Sequence, residues 1–317
     1  MAEKYAIGID VGGTNTKFGV VNKNGEILIQ DRIKTNEKEN VEGFIEVLAE
    51  KLQPMIDQYG GPEAFVGIGM GAPNANYYQG TIEYAANRKW KGIIPMADIM
   101  EEKFKIQTKL TNDANAAAVG EMQYGIAKGM KNFITITLGT GVGSGVIIDG
   151  KIVLGYNGFA GELGHVIVRN GGRLHQGTGL CGSLESYASA TGVRDTAIEF
   201  LQANPDINSL LSSYTIDELT SETVFKCAEQ GDVLANEVFE FTGQILGEAL
   251  ATFVHFSAPE AIVLFGGLTK AGDLIMKPTR QAMEDNLLQV FKNQVKILFS
   301  TLNEADAAIL GASALVW

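Results

Sequence analysis

The sequence predicts an α/β fold of two lobes with a duplicated βββαβα unit, and three observations lead there. The chain has 317 residues, more than one typical domain holds. Short apolar runs that end in glycine alternate with segments of helical periodicity. The pattern strand, glycine turn with threonine, strand occurs twice, near residue 10 and near residue 139, as it would in two copies of one architectural unit. Two ordinary hairpins would produce the same local pattern.

Taken in order, residues 5–11 are an apolar run closed by Gly12-Gly13, 17–21 form a second strand, and Asn24-Gly25 turns the chain into a third over 27–33. Over 41–59, Phe44, Val47, Leu48, Leu52, Met55 and Ile56 recur at helical spacing and bury one face. Residues 65–70 read as a buried strand, 106–110 as another, and the Ala-rich run 112–124 as a helix. The pattern then restarts with strand 133–138, a glycine-dense turn at 139–145, and strand 146–148 closed by Asp149-Gly150. Residues 155–189 are loop-rich. A long helical region covers 216–256, 261–265 is a strand ending in Gly266-Gly267, 295–299 is a late strand and 305–315 a terminal helix. No linker separates the lobes, so ordered helices are expected to join them.

Composition narrows the function. Hydrophobic residues make up 45%, enough for sizeable cores, and no stretch reaches the length of a membrane-spanning helix. The start MAEKYAIGIDVGG has no charged segment followed by an apolar one and a cleavage site, so a cytoplasmic protein without a membrane partner is expected. Two cysteines, Cys181 and Cys227, are too few for a disulfide framework. The net charge of −12, from 37 acidic and 25 basic residues, disfavours nucleic acid, whose phosphates need a basic footprint. An anionic nucleotide can still bind through backbone N–H groups and a metal ion.

Five motifs carry the chemistry. In Asp10-Val11-Gly12-Gly13-Thr14-Asn15-Thr16-Lys17, two glycines let backbone N–H groups approach phosphate oxygens, two threonines add donors, and Asp10 can hold hydrated Mg²⁺. A hairpin with a capping Asp reads the same way. Thr137-Leu138-Gly139-Thr140-Gly141-Val142-Gly143-Ser144-Gly145 has four glycines at alternate positions. Glycine weakens strands, so close approach to a ligand explains them, with a structural bend as the other reading. It has neither the G-K-[ST] of a P-loop nor the spacing of a dinucleotide fingerprint. Gly266-Gly267 at a strand end leaves room for a flat ring, here adenosine. Asn112-Asp113 before an Ala-rich run reads as a helix N-cap. It also reads as a general base, with Asp113 accepting the proton of an attacking hydroxyl while Asn112 caps. Gly161-Glu162-Leu163-Gly164-His165, with Leu184-Glu185 further on, offers carboxylates and an imidazole to sugar hydroxyls.

The set DVGGTNTK, NDANAA, TLGTGVGSG, GELGH and a late strand ending GG, in this order, resembles the ROK family of repressors, open reading frames and sugar kinases, over nearly the whole chain. The resemblance implies a two-lobed, actin-like (ribonuclease H-like) ATPase fold with sugar and ATP in an interlobe cleft that closes on the sugar. The lobes would be 1–114, to which the helix 303–317 returns, and 115–302. Carried over by position, Asp113 would be the catalytic base, and Asn87, Asn112, Glu162, His165 and Glu185 would bind sugar hydroxyls. Asp10, Gly12, Gly13, Thr14, Asn15, Thr16, Lys17, Gly139, Thr140, Gly141, Gly266 and Gly267 would bind ATP, with Mg²⁺ held by Asp10 through water. Gly71-Ala72-Pro73 is similar to the family's glycine-proline turn near the sugar.

One departure stands out. Many family members bind zinc through the GELGH histidine and three cysteines, and those cysteine positions here hold Gln176, Thr178 and Ser183, so zinc is not expected. The implied activity is ATP-dependent phosphorylation of a hexose, glucose favoured, at C6, by a homodimer. An N-acetylhexosamine, fructose or allose kinase, or a non-DNA-binding sugar-responsive regulator of the same family, is the alternative. A sugar-responsive repressor would need a DNA-binding segment ahead of the first strand, and an actin-like ATPase would not need the Asn112-Asp113 and Glu162/His165/Glu185 set.

Overall fold

The computed structural model describes residues 3–84 and 89–317. The chain forms two compact units, Met1–Lys131 with Gly145–Gly161 and Ser300–Trp317, and Asn132–Ser144 with Glu162–Phe299.

Strands β1 (Tyr5–Val11), β2 (Asn15–Asn22) and β3 (Ile27–Lys34) form an antiparallel meander in which Asp10 faces Lys17 and Val11 faces Thr16. The turn into β3 is set locally. The Asn22 side chain accepts the N–H groups of Asn24 and Glu26, both at 3.0 Å, and Gly25 takes a φ of 84°, which a residue without Cβ adopts freely. Helix α1 (Val41–Gln58) begins at Asn40, whose side chain accepts the Gly43 N–H. It lays Phe44, Leu48 and Leu52 into a core with Ile7, Ile9 and Phe18. Strand β4 (Phe65–Gly71) runs parallel to β1.

A small antiparallel sheet follows, β5 (Ala75–Asn76), β6 (Thr81–Glu83) and β7 (Ile93–Ile94), and then α2 (Met96–Phe104). Strands this short cannot show a period, so the sequence gives no signal for them. Strand β8 (Thr108–Thr111) runs parallel to β4 and leads into α3 (Asp113–Gln123).

The second sheet takes β9 (Phe133–Leu138), β10 (Val142–Ile148) and β11 (Lys151–Ile152). Helices α4 (Glu185–Ala188), α5 (Ala190–Ala203), α6 (Ser221–Glu229) and α7 (Val233–Ser257) intervene before β12 (Ala261–Phe265). Then come α8 (Asp273–Asp285), β13 (Lys296–Phe299) and α9 (Glu304–Ala314). The strand orders are β3–β2–β1–β4–β8 and β11–β10–β9–β12–β13. Each is a three-strand run with two parallel strands added beside its first member, so the duplication expected from the sequence is present in the topology.

Two elements differ from expectation, and a third, α8, carried no expectation. Strand β10 starts at Val142 and runs through Gly143 and Gly145 rather than beginning at 146. The helical region 216–256 is two helices, because Gly231 takes a φ of 83° and Asp232 caps α7 by accepting the Ala235 N–H at 2.8 Å. Helix α8 carries Pro278 in its interior, a residue that reads as a helix breaker. In the first unit, α9 lies so close to the sheet that a Cβ on Gly8 or Gly69 would strike the carbonyls of Ile309 or Ala312. Among the described residues no helix is long and apolar enough to cross a membrane.

Candidate active site

In the first unit the register sets Asp10 beside Gly71 and Gly71 beside Thr111, at the C-terminal ends of the parallel strands β1, β4 and β8. Adjacent strands lie about 4.8 Å apart, so Asp10 and Thr111 are roughly 10 Å apart along this edge. Open α/β sheets bind ligands outside such strand ends. From Thr111 the chain passes directly into Asn112-Asp113.

The turn between β1 and β2 is held from behind. The Gly12 N–H donates to the Asn15 carbonyl at 3.1 Å. The Thr35 hydroxyl donates to the Gly12 carbonyl at 2.8 Å, and the Asn36 amide to the Gly13 carbonyl at 3.2 Å. Thr16 is buried, its hydroxyl 2.9 Å from that of Thr35, whereas Gly13 and Thr14 are exposed. A Cβ at Gly12 would come within 2.7 Å of the Asn15 carbonyl oxygen, but one at Gly13 would meet nothing within 4 Å. Thr35 and Asn36 have no motif of their own, and only the fold brings them to the turn.

At the start of α3, Asn112 is the N-cap, its side-chain oxygen accepting the Asn115 N–H at 2.7 Å. Asp113 is the first helical residue and its carboxylate accepts the Ala114 N–H at 2.9 Å. Burial raises the Asp113 carboxyl above its usual range, opposed by the N–H groups of Ala114 and of Asp113 itself. The residue is nevertheless exposed to water, so neighbouring groups desolvate the carboxyl without closing it off from proton exchange. A Cβ on Gly71 would lie 3.6 Å from the Asp113 Cα, which puts the Gly71-Ala72-Pro73 turn against the helix start. Further along, Asn76 donates to Glu83 Oε1 at 3.0 Å and to the Asn157 carbonyl at 3.1 Å, pinning the segment that leads toward Asn87. Asn87 itself lies outside the described residues.

The second unit repeats the arrangement. Thr137 pairs with Phe265 at the C-terminal ends of β9 and β12. The Gly139 N–H donates to the Gly141 carbonyl at 3.0 Å, and Thr140 is exposed. Gly139 and Gly267 have nothing within 4 Å of an added Cβ. Gly266 takes a φ of 109° and a Cβ there would meet the Leu138 carbonyl oxygen at 2.7 Å. A cavity of about 560 Å³ opens beside these strand ends, lined by Gly139, Thr140, Phe225, Lys226, Gly267 and Lys270. Phe225 and Lys226 come from α6, whose short amphipathic sequence carries no ligand signal.

Glu185 and the segment that carries Glu162 and His165 both lie against the first residues of β10. The Leu163 N–H donates to the Ser144 hydroxyl at 2.9 Å, and Gly164 packs directly on the Val142 carbonyl. Glu185 Oε2 accepts the Val142 N–H at 2.7 Å, and its carboxylate fills the space where a Cβ of Gly141 would be. His165 Nε2 lies 4.0 Å from Glu162 Oε2. Glu185 Oε1 also lies 3.0 Å from His175 Nε2, a partner that the sequence did not indicate. The first unit thus gathers Asp10, the first glycine turn, Asn112 and Asp113, and the second gathers the other glycine positions with Glu162, His165 and Glu185.

The residues present do not fit the zinc of the wider family. His165 Nδ1 is buried with no hydrogen-bond partner, as a nitrogen facing a metal would be, but the other donors are missing. Thr178 Oγ1 bonds His175 Nδ1 at 2.9 Å and Ser183 Oγ bonds Ser186 Oγ at 2.9 Å. Hydroxyls are weak substitutes for thiolates at zinc. Among the described residues no three His, Cys, Asp or Glu side chains are grouped to hold a metal ion.

The ROK family description matches residues 6–317. A glucokinase of Halalkalibacterium halodurans is 35% identical over 100% of this chain and 96% of its own length. A xylose repressor of Caldicellulosiruptor bescii is 26% identical over 98% of this chain and 77% of its own length. The crystal structure of a ROK family glucokinase from Streptomyces griseus in complex with glucose and AMPPNP matches with a TM-score of 0.78 and 30% identity, over 98% of each chain.

Proposed function

This chain belongs to the ROK family, and on that premise we propose that it transfers the γ-phosphoryl group of ATP to the C6 hydroxyl of a hexose, with glucose the preferred acceptor. It is a sugar kinase with the actin-like α/β fold. The observation that carries the mechanism is Asp113, a water-accessible but partly desolvated carboxyl at a helix start, on the same strand-end edge as Asp10.

In this reading the Asp113 carboxylate accepts the proton of the sugar hydroxyl as its oxygen attacks the γ-phosphorus. The bond from phosphorus to the bridging oxygen breaks, and ADP leaves with the electron pair. Burial raises the proton affinity of the base, which brings it nearer to the pH at which it works. Asn87, Asn112, Glu162, His165 and Glu185 orient the sugar, each carboxylate accepting from hydroxyls. The two glycine turns receive the phosphates, and adenosine occupies the cavity beside Gly266-Gly267. Mg²⁺ fits Asp10, since this ion takes one or two carboxylates and keeps water and phosphate oxygens for the rest. When bound, it neutralises charge on the phosphates.

A coupled ADP-release assay over a hexose panel tests the proposal. The expected result is hexose-dependent ADP release with the highest kcat/KM for glucose. A higher value for N-acetylglucosamine, N-acetylmannosamine, fructose or allose would reassign the substrate. Hydrolysis of ATP that ignores added sugar would contradict the kinase mechanism.

A further inference from the structure

The loop between the GELGH turn and α4 is ordered by its own hydrogen bonds. The N–H groups of Val168 and Arg169 donate to the Gly182 carbonyl at 2.8 and 3.1 Å, Gly182 N–H donates to the Arg173 carbonyl at 2.8 Å, and His175 N–H to the Leu180 carbonyl at 2.8 Å. At its centre stands Arg173, whose side chain is 11% exposed. Nε donates to Glu199 Oε1 at 2.8 Å. Nη1 donates to the carbonyls of Ser186 and Gly192 at 2.6 and 3.1 Å. Nη2 donates to Thr196 Oγ1 at 3.0 Å and Glu199 Oε2 at 2.7 Å. A guanidinium has five N–H donors in a fixed planar fork, and all five are used here. The guanidinium carbon also lies 4.7 Å from the centre of the Tyr187 ring, and the Tyr187 hydroxyl accepts the Arg173 N–H at 2.8 Å.

These bonds tie the loop to α4 and α5 at once. Glu185 is the first residue of α4, one position before the Ser186 carbonyl that Arg173 holds. His175 stands two residues after Arg173 and meets Glu185 Oε1. We propose that Arg173 is a positioning residue, the metal-free staple that fixes the loop carrying His175 against the helix carrying Glu185 and so sets the hexose-binding carboxylate. The inference rests on the reading of Glu185 as a sugar ligand. Lysine cannot replace the arginine, because an ammonium offers three donors on a flexible stem and no plane to set against the Tyr187 ring.

The test compares Arg173→Met, Arg173→Lys and Glu185→Gln in the full chain. In Arg173→Met the hexose KM is expected to rise about tenfold or more, as misplacement of a binding group does, while the ATP KM stays at the wild-type value. Arg173→Lys is expected to recover little of the loss. The purified wild-type protein is expected to hold no stoichiometric zinc and to keep its Tm in a strong chelator. An unchanged hexose KM in Arg173→Met, or hexose and ATP KM values rising together, would overturn the inference while leaving the sugar site intact if Glu185→Gln still loses hexose. An unchanged hexose KM in Glu185→Gln would overturn the reading of that site and the inference with it. Stoichiometric zinc whose removal lowers Tm would also overturn it. Should Arg173→Met fail to fold, Glu199→Gln weakens the ion pair and is expected to show the same split at smaller size. An unchanged hexose KM there would count against the proposal.

Discussion

The two glycine turns share a frame and differ in what stands at their base. Each follows a strand end, exposes one threonine, Thr14 or Thr140, and pairs a packed glycine with an open one. Gly12 lies against the Asn15 carbonyl and Gly141 against the Glu185 carboxylate, whereas Gly13 and Gly139 face empty space. Asp10 is the last residue but one of β1, and Thr137 holds that place in β9. The Thr137 hydroxyl is used within its own hairpin, accepting the Gly143 N–H at 3.1 Å. Duplication thus copied a geometry suited to anionic ligands, while the ionisable groups at the strand ends, Asp10 and Asp113, sit in the first unit alone. The packed glycines belong to the architecture, and under the proposed function the open ones face the phosphates.

The largest effect that would sharpen this asymmetry is at Asp113. Asp113→Asn is expected to lower kcat by about 10²–10⁴-fold, the range for removal of a general base, with the hexose KM near wild type in a coupled assay. Thr137→Val in the other unit is expected to keep most of kcat. Equal losses in the two variants would mean that the two strand ends contribute alike.

The glycine pairs come next. Gly13→Ala and Gly139→Ala are expected to leave Tm unchanged and raise the ATP KM, because a methyl group occupies space that phosphate oxygens would use. Gly12→Ala and Gly141→Ala are expected to lower Tm. Gly266→Ala is expected to cost about 1–3 kcal/mol for a backbone conformation open essentially to glycine alone, and more for contact with the Leu138 carbonyl, read in chemical denaturation. A lower Tm in Gly13→Ala with an unchanged ATP KM would contradict the division.

The smallest effect is on stability. Burial raises the Asp113 pKa in the folded state above its unfolded value, so protonation stabilises the fold. That contribution is complete below the unfolded pKa of about 3.9 and is lost as pH rises through the folded pKa. Asn carries no charge at either pH. Asp113→Asn is therefore expected to raise Tm near neutral pH, with the gain vanishing in acid. A gain that grew as pH fell would have the wrong sign.

What the sequence made legible was local. Asn112 as a cap, the two glycine turns and the Gly266-Gly267 strand end are each signalled by adjacent residues, and the structure keeps those residues adjacent. What it hid depends on distant contacts. Thr35 and Asn36 buttress the first turn from the end of β3, Phe225 and Lys226 reach the cavity from α6, and Arg173 finds its partners in two later helices. The run of alternate glycines pointed to a ligand, yet Gly145 packs against Ala114 and Ala118 of α3 and Gly141 against Glu185. Glycine announces a close approach without saying to what. The break between α6 and α7 was signalled by Gly231-Asp232, but the apolar period on the far side ran strongly enough to obscure it.

The pH dependence of kcat in wild type and in Asp113→Asn decides whether Asp113 is the base. The expected wild-type profile falls in acid with a midpoint above the ordinary aspartate range, because the base must be ionised and its proton affinity is raised. The residual activity of Asp113→Asn is expected to lack that limb. An acid limb that persists unchanged in the variant would mean that another group accepts the proton.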